Sequence, residues 1–275
     1  MSKVNIKSMK LYNNVNRIYN ELKEIGKDKS SFLKIKDLIK FDQLHYCGTE
    51  AIDFAIKKTK INNKKTVLEV GSGIGGPARY IAYKTRANVS AIELQNDQYT
   101  IAKELTKKCK LSKKIENING DILSYNWKNK KFDILTSWLT LYHIKNQKKL
   151  LNNCYNLIKD NGYFYSEDLI SQQKNNRKNI NELSKEIYAN YLPTYEVYIK
   201  QLEKHGFKVI SHRNMSNKWK KFVKNRKQIY EKNKNRNIRV HGKKTYESIK
   251  HFYNIVNKHF EMNNIGGIRI IAKKK

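Results

Sequence analysis

The segment Val67-Leu-Glu-Val-Gly-Ser-Gly-Ile-Gly-Gly76 sets the architecture of this chain. A short β-branched and apolar run carries a carboxylate, Glu69, and passes at once into a glycine-rich turn. A second run, Asn88-Val-Ser-Ala-Ile, ends in Glu93, twenty-two residues after Gly71. Strand, glycine turn, helix, strand and acid in that order form a backbone cradle for a nucleoside. Gly71, Gly73 and Gly75 supply backbone angles closed to other residues or remove a Cβ where a ligand or helix approaches. Glu93, at the tip of the second strand with Leu94 beside it, is placed to accept from both ribose hydroxyls.

The residues around the turn choose between cofactors. Nicotinamide and flavin sites face a pyrophosphate there, which Glu69, two residues before Gly71, would repel. A cationic ligand suits that acid. S-adenosylmethionine carries a sulfonium and an ammonium and no phosphate, so it is the expected cofactor.

Farther along, Ile115-Glu-Asn-Ile-Asn-Gly-Asp121 predicts a third strand, with Asp121 accepting from the adenine amino group and Ile122 packing on the ring. Phe132 to Ser137 predicts a fourth strand, with Ser137 in the cofactor set, and Asn161 to Glu167 a turn and a fifth. At these residues the chain resembles the class I S-adenosylmethionine-dependent methyltransferases, well over roughly residues 41 to 170 and more loosely elsewhere. The resemblance implies an α/β, Rossmann-like, seven-stranded, mostly parallel sheet with helices on both faces. One antiparallel strand and a helical cap complete the expectation. Crossovers should be right-handed and the ligand should lie at the carboxyl ends of the strands.

At 275 residues, one domain is expected, with residues 1–45 a helical cap, 46–170 the cofactor-binding core and 171–275 the second half of the sheet with inserted helices. No apolar run approaches the ~20 residues of a transmembrane helix. Met1-Ser-Lys-Val-Asn-Ile-Lys7 has no leader-like apolar block, and three scattered cysteines, Cys47, Cys109 and Cys154, suit a reducing, cytoplasmic setting and form no metal cluster. The formal charge of +33 accompanies an abundance of Lys, Asn, Ile and Tyr, as A/T-biased coding gives. Its distribution is uneven: residues 171–275 hold 26 basic against 7 acidic residues, and Arg213 to Lys244 holds 13 against Glu231 alone. A solvated helix face and a field that draws in a phosphorylated substrate both account for that run.

Helices are predicted over 9–26, 49–60 with Thr49 as N-cap, 76–85, 96–108, 147–158, 194–205, 217–233 and 243–261, with a short one near 31–39. Phe207 to Ser211 and Ile268 to Ala272 are predicted to be the sixth and last strands.

For the methyl acceptor, the two prolines, Pro77 and Pro193, exclude the Asn/Asp-Pro-Pro-aromatic motif of amino methylation on bases. No paired-carboxylate hairpin of arginine methylation is evident. Cys154 lies inside a helix pattern, so no cysteine nucleophile of cytosine methylation stands beside a strand end. Ser137-Trp-Leu-Thr-Leu-Tyr-His143 and Phe41-Asp-Gln-Leu-His-Tyr-Cys-Gly-Thr-Glu50 instead resemble the glycine, sarcosine, dimethylglycine and phosphoethanolamine N-methyltransferases. That resemblance implies a small-molecule acceptor methylated at an amine nitrogen, with Tyr46 and His143 as the catalytic pair. An unperturbed imidazole, with a pKa near ~6.5, takes a proton near neutrality. A helix-capping or packing role for His143, and a lid role for Tyr46, stand beside that reading. Leu139 replaces the acid usual four residues before the histidine, and Glu167-Asp168 replaces Asp-Tyr. Glu167 and Asp168 are therefore candidates for holding a cationic head, and Arg239 and His241 for clamping a phosphate or carboxylate. The cap aromatics, Tyr188, Tyr191, Tyr195, Tyr198, Trp219, Tyr246, Phe252 and Tyr253, are core at helical spacing or a cation–π cage. Two alternatives stay open: C- or O-methylation of a sterol- or quinone-like lipid, and a non-catalytic RNA-binding relative. The basic C-terminal part keeps nucleic acid as a disfavoured partner.

Overall fold

The computed structural model describes residues 6, 9–28 and 31–275. The N-terminal stretch inspected for a leader, Ile6 apart, lies outside the described residues. Seven strands form one sheet in the order β3-β2-β1-β4-β5-β7-β6. They are β1 (Thr66–Val70), β2 (Asn88–Glu93), β3 (Ile115–Asn119), β4 (Phe132–Trp138), β5 (Ile158–Ser171), β6 (Phe207–Asn214) and β7 (Ile265–Lys274). The first five pair in parallel, and β7 lies antiparallel between β5 and β6. Strand order reverses between β1 and β4, so the carboxyl ends of β1, β2 and β4 open into one crevice.

The continuous apolar runs of β1 and β2 are what a sheet covered on both faces requires. Val67 faces a core shared with α3 (Gly48–Thr59), α4 (Gly76–Thr85) and α5 (Asn96–Lys108). Leu68 and Val70 face the opposite core, with α6 (Gln147–Leu157) and α8 (Tyr195–Lys204). A third core joins Met9 and Leu11 to α7 (Arg177–Ile187), α9 (Ser216–Lys232) and α11 (Lys243–Glu261), and these form a cap over the crevice.

Several elements depart from the sequence reading. The expected helix over 9–26 is a 3-10 turn, Lys10–Tyr12, and a separate helix, α1 (Arg17–Glu24). Asn13, Asn14 and Asn16 between them compete poorly for helical bonds, and the Arg17 guanidinium donates to the Leu11 and Asn14 carbonyls (2.8 and 3.2 Å), fixing the break. Near 31–39 only Ile35–Leu38 is helical (α2). Cys47, in left-handed backbone at φ 61°, starts α3, and Thr49 does not cap it. Asn161-Gly162 does not precede β5: pairing begins at Ile158, and the register then jumps from Phe132–Ile158 to Ile134–Tyr163. The inserted segment contains a third helix, α10 (Lys234–His241). The unforeseen α7 begins where the Asn176 side chain accepts from the Asn179 N–H. Among the described residues no helix is long and apolar enough to cross a membrane.

Candidate active site

The crevice is a chamber closed by the cap, and Glu69, Glu93 and Asp121 line it together. Gly71, Gly73, Leu94 and Ile122 line it too. Gly71 has φ +72°, and a Cβ there would lie 2.1 Å from the Thr140 side chain, so the β1 turn and the loop after β4 close only around glycine. Gly75 stands behind the wall, at the N-terminus of α4 and against Arg79 and Ala102. Ser137 is also behind it, donating to the Val70 carbonyl (3.1 Å) and so tying β4 to β1.

The three acids differ in environment. Glu93 accepts from the Gly73 N–H with one oxygen and from the Gln95 N–H with the other (both 2.8 Å), so it shapes the turn as well as facing the chamber. Asp121 accepts from the Leu123 N–H (2.9 Å) and caps the turn after β3. Glu69 is 2 % exposed, and its Oε2 has no hydrogen-bond partner. Burial pushes its carboxyl up to about 8, against a nearby Arg79 that lowers it. Arg79 is itself held by Asp42 (3.0 Å), both fully buried, which anchors the residue-42 loop to α4. Among the described residues, the chamber's charged groups are acids apart from Arg226. A buried carboxylate oxygen lacking a partner, glycine backbone and acids at successive strand ends fit an adenosyl sulfonium and repel a pyrophosphate.

On the cap side, His143 follows β4 in a 3-10 turn, Leu141–His143. Its Nδ1 lies 2.9 Å from the Tyr188 carbonyl, which can only accept, so Nδ1 carries the proton. Nε2 then holds a lone pair, is buried and has no partner. Burial lowers this imidazole to about 4, so it is neutral at pH 7; the value near 6.5 expected from sequence does not hold. The Tyr142 ring lies 3.9 Å and the Tyr12 ring 6.1 Å from it, centroid to centroid. Tyr46 also lines the chamber, its ring against Trp219, Phe222 and Phe260. Burial raises all three tyrosines, so their hydroxyls stay protonated.

The remaining predicted residues fall elsewhere. Glu167 is sealed inside the sheet, accepting from Arg269 Nε and the Tyr165 hydroxyl (both 2.6 Å). Asp168 is also fully buried, accepts from the Leu169 and Tyr142 N–H groups, and supports the His143 turn from below. Neither lines the chamber. Arg239 is exposed and pairs with Glu24, and His241 Nε2 pairs with Glu21 (2.8 Å), so both tie α10 to α1 outside the chamber. Of the cap aromatics, Phe252 and Tyr253 reach the chamber, while Trp219 is wholly buried and Tyr246 stacks on Tyr230. Sequence reasoning missed Tyr12, Tyr142, Arg226 and Gln98 as chamber residues. Tyr12 sat in an apparent apolar stripe, and Arg226 in a charged run, so neither carried a local signal.

Comparison with known proteins agrees with the fold and the family. Residues 39–270 match the model of the family described as mycolic acid cyclopropane synthetase. The chain belongs to that family of class I S-adenosylmethionine-dependent methyltransferases. Among its relatives is the phosphoethanolamine N-methyltransferase of Plasmodium falciparum, 24 % identical over 204 residues, covering 74 % of this chain and 76 % of that one. A sterol 24-C-methyltransferase of Saccharomyces cerevisiae is 32 % identical over 124 residues, 44 % of this chain and 32 % of that enzyme. The chain thus spans only about a third of the sterol enzyme's length. Among solved structures, a Haemonchus contortus phosphoethanolamine N-methyltransferase superposes with a TM-score of 0.81 at 17 % identity, over 98 % of this chain and 59 % of that one. The cyclopropane synthase MmaA2 of Mycobacterium tuberculosis does so with a TM-score of 0.76 at 13 % identity, over 98 % and 97 %. These two likenesses show the fold.

Proposed function

We propose that this protein methylates a small amine at nitrogen, with S-adenosylmethionine as donor. Glu69, Glu93, Asp121 and the Gly71–Gly73 turn would hold the donor, and Ile122 would pack on its base. When bound, the donor supplies an electrophilic methyl group on sulfur. The protein's own part is to align the acceptor, exclude water and take a proton.

The observation that carries this reading is His143, with Nδ1 fixed by the Tyr188 carbonyl and a lone pair on Nε2 on the chamber wall. With the donor bound, the site would hold the acceptor nitrogen in line with the methyl group, and His143 Nε2 would take the proton that the nitrogen gives up. The burial that keeps this imidazole neutral also penalises an ammonium, so the amine enters as its neutral form. The protonated hydroxyls of Tyr12, Tyr46 and Tyr142 orient it, and their rings face the charge that develops on nitrogen.

A second reading, carbon methylation of a lipid-like acceptor, draws on the apolar cap wall of Leu139, Val223, Phe252 and Val256 and on the relatives that act on sterols. One screen separates the two. Release of S-adenosylhomocysteine is measured with small amines in one arm, and with sterols and unsaturated acyl lipids in the other. Turnover of an amine that is lost in His143→Ala supports the first; turnover of lipids alone overturns it.

A further inference from the structure

A second cavity, of about 330 Å³, adjoins the chamber between α1, α9, α10 and α11. Leu11, Leu44, Ile74, Arg226 and Tyr253 form the shared wall. Its charge is opposite to the chamber's. Arg17, Lys40, Arg226 and Arg236 line it, and Glu21 is the one acid among its lining residues. Glu21 accepts from both Arg236 Nη atoms (2.9 and 2.5 Å) and from His241 Nε2 (2.8 Å) and also acts on Arg17, so a single acid faces four guanidinium and ammonium groups among the described lining residues. Arg17 and Arg226 are held in place through backbone carbonyls, those of Leu11, Asn14, Leu44 and His45, and both line the cavity.

Two further groups on the same wall are polar and have no partner. The Tyr230 hydroxyl is buried and makes no hydrogen bond, and its ring is fixed by stacking on Tyr246 at 5.3 Å and 12°. His241 is 4 % exposed at its side chain, and Nδ1 has no partner while Nε2 is held by Glu21. Leaving a buried polar group unpaired is costly, and gathering like charges adds to that cost. An oxyanion answers these features together: it neutralises the cations and accepts from the hydroxyl, beside His241 Nδ1.

We propose that this cavity is a binding site for a small oxyanion of the phosphate class, separate from the acidic chamber and sharing a wall with it. Bound there, the anion joins α1 to α9 and α10, the elements that carry Tyr12's neighbours and Arg226, and so stiffens the cap. The anion is either a free phosphate compound or the acidic end of an acceptor that crosses the shared wall.

The test is calorimetric titration of the full chain with inorganic phosphate, against Tyr230→Phe, His241→Gln and, as control, Lys113→Gln. His241→Gln keeps a donor toward Glu21 and lacks Nδ1; Lys113 is exposed, precedes β3 and does not line the cavity. The expected result is saturable binding that weakens about tenfold or more in each cavity variant, as loss of a bond to a charged group gives, and is unchanged in the control. Absence of saturable binding, or equal binding in all four proteins, overturns the proposal and leaves diffuse attraction to a basic surface. Melting temperatures within error of the parent's show that the variants fold. Titration with S-adenosylhomocysteine in parallel keeps the two sites apart: failure there with phosphate binding intact counts against the chamber reading and not this one. An O-phosphorylated amine then names the source. Displacement of phosphate with methylation of the amine identifies the acceptor's own end, and displacement without methylation identifies a separate ligand; both require the site.

Discussion

Two adjoining cavities of opposite sign divide this protein. The chamber is walled by Glu69, Glu93 and Asp121 at successive strand ends, and the cavity beyond Arg226 is walled by Arg17, Lys40 and Arg236. The first is made by backbone that is close in sequence, because parallel strands bring their carboxyl ends to one rim at each repeat. The second is assembled from α1, the segment after α2, and α9–α11, more than 180 residues apart along the chain. The sheet therefore dictates where a cation goes, and the cap dictates what else is bound and how the chamber closes.

The comparison breaks most readily at His143, on the cap side of the chamber. His143→Ala is expected to lower turnover of an amine by about 10²- to 10⁴-fold, the usual worth of a general base, with affinity for S-adenosylhomocysteine unchanged. Steady-state rates beside a binding isotherm check this. Full activity in the variant assigns the histidine a packing role. Next in size is Glu93→Ala. It removes the acceptor for the Gly73 and Gln95 N–H groups as well as a chamber carboxylate, and affinity for the cofactor is expected to fall by about 1–3 kcal/mol. Unchanged affinity removes Glu93 from the site.

Glu69 sharpens the comparison through pH. The folded chain keeps its proton up to about 8, while an ordinary glutamate loses it near 4.5. Between those values the folded state binds more protons than the unfolded one, so stability of the ligand-free protein falls as pH rises through that window. Glu69→Gln is expected to remove that slope, giving a variant more stable than the parent at about pH 8 and weaker in cofactor binding. Thermal melts at several pH values read it; parallel curves for the two proteins contradict it. Two of the buried histidines show the opposite sense clearly. His45 and His143 are both lowered to about 4 from 6.5 by burial, so their neutral forms favour the fold above 6.5, and stability is lost as pH falls from there toward 4. Replacing His45 by Gln should shallow that acid limb. The smallest effect belongs to Arg239, exposed and paired only with Glu24 outside both cavities. Arg239→Ala is expected to leave cofactor affinity and turnover unchanged, and a loss of either restores it to the site.

The division between legible and illegible follows the same line. Helices 76–85 and 96–108 and the carboxylates at the strand ends were readable because a glycine turn, an apolar run and an acid stand within a few residues of each other. The mostly parallel seven-stranded sheet with one antiparallel member was expected from the family resemblance, while the order of its strands comes from the structure. The N-terminal helix was misread because apolar spacing outweighed the asparagines at 13, 14 and 16, where the chain breaks. Glu167-Asp168 looked like a substrate clamp because it ends a strand, yet the long antiparallel β7 continues past it and Arg269 claims the charge. Arg239 and His241 looked available because their partners, Glu24 and Glu21, lie some 215 residues earlier. A contact across that separation leaves no mark in local sequence. Tyr12 meets His143 across a long stretch of sequence too and was hidden likewise.

The most direct test is a calorimetric titration of the purified chain with S-adenosylmethionine, and in parallel with a nicotinamide dinucleotide. The acidic chamber predicts saturable binding of the sulfonium, with protons released near pH 7 as Glu69 ionises beside it, and no binding of the dinucleotide. Tighter binding of the dinucleotide, or no heat with the sulfonium, contradicts the assignment of Glu69, Glu93 and Asp121 to a cationic cofactor.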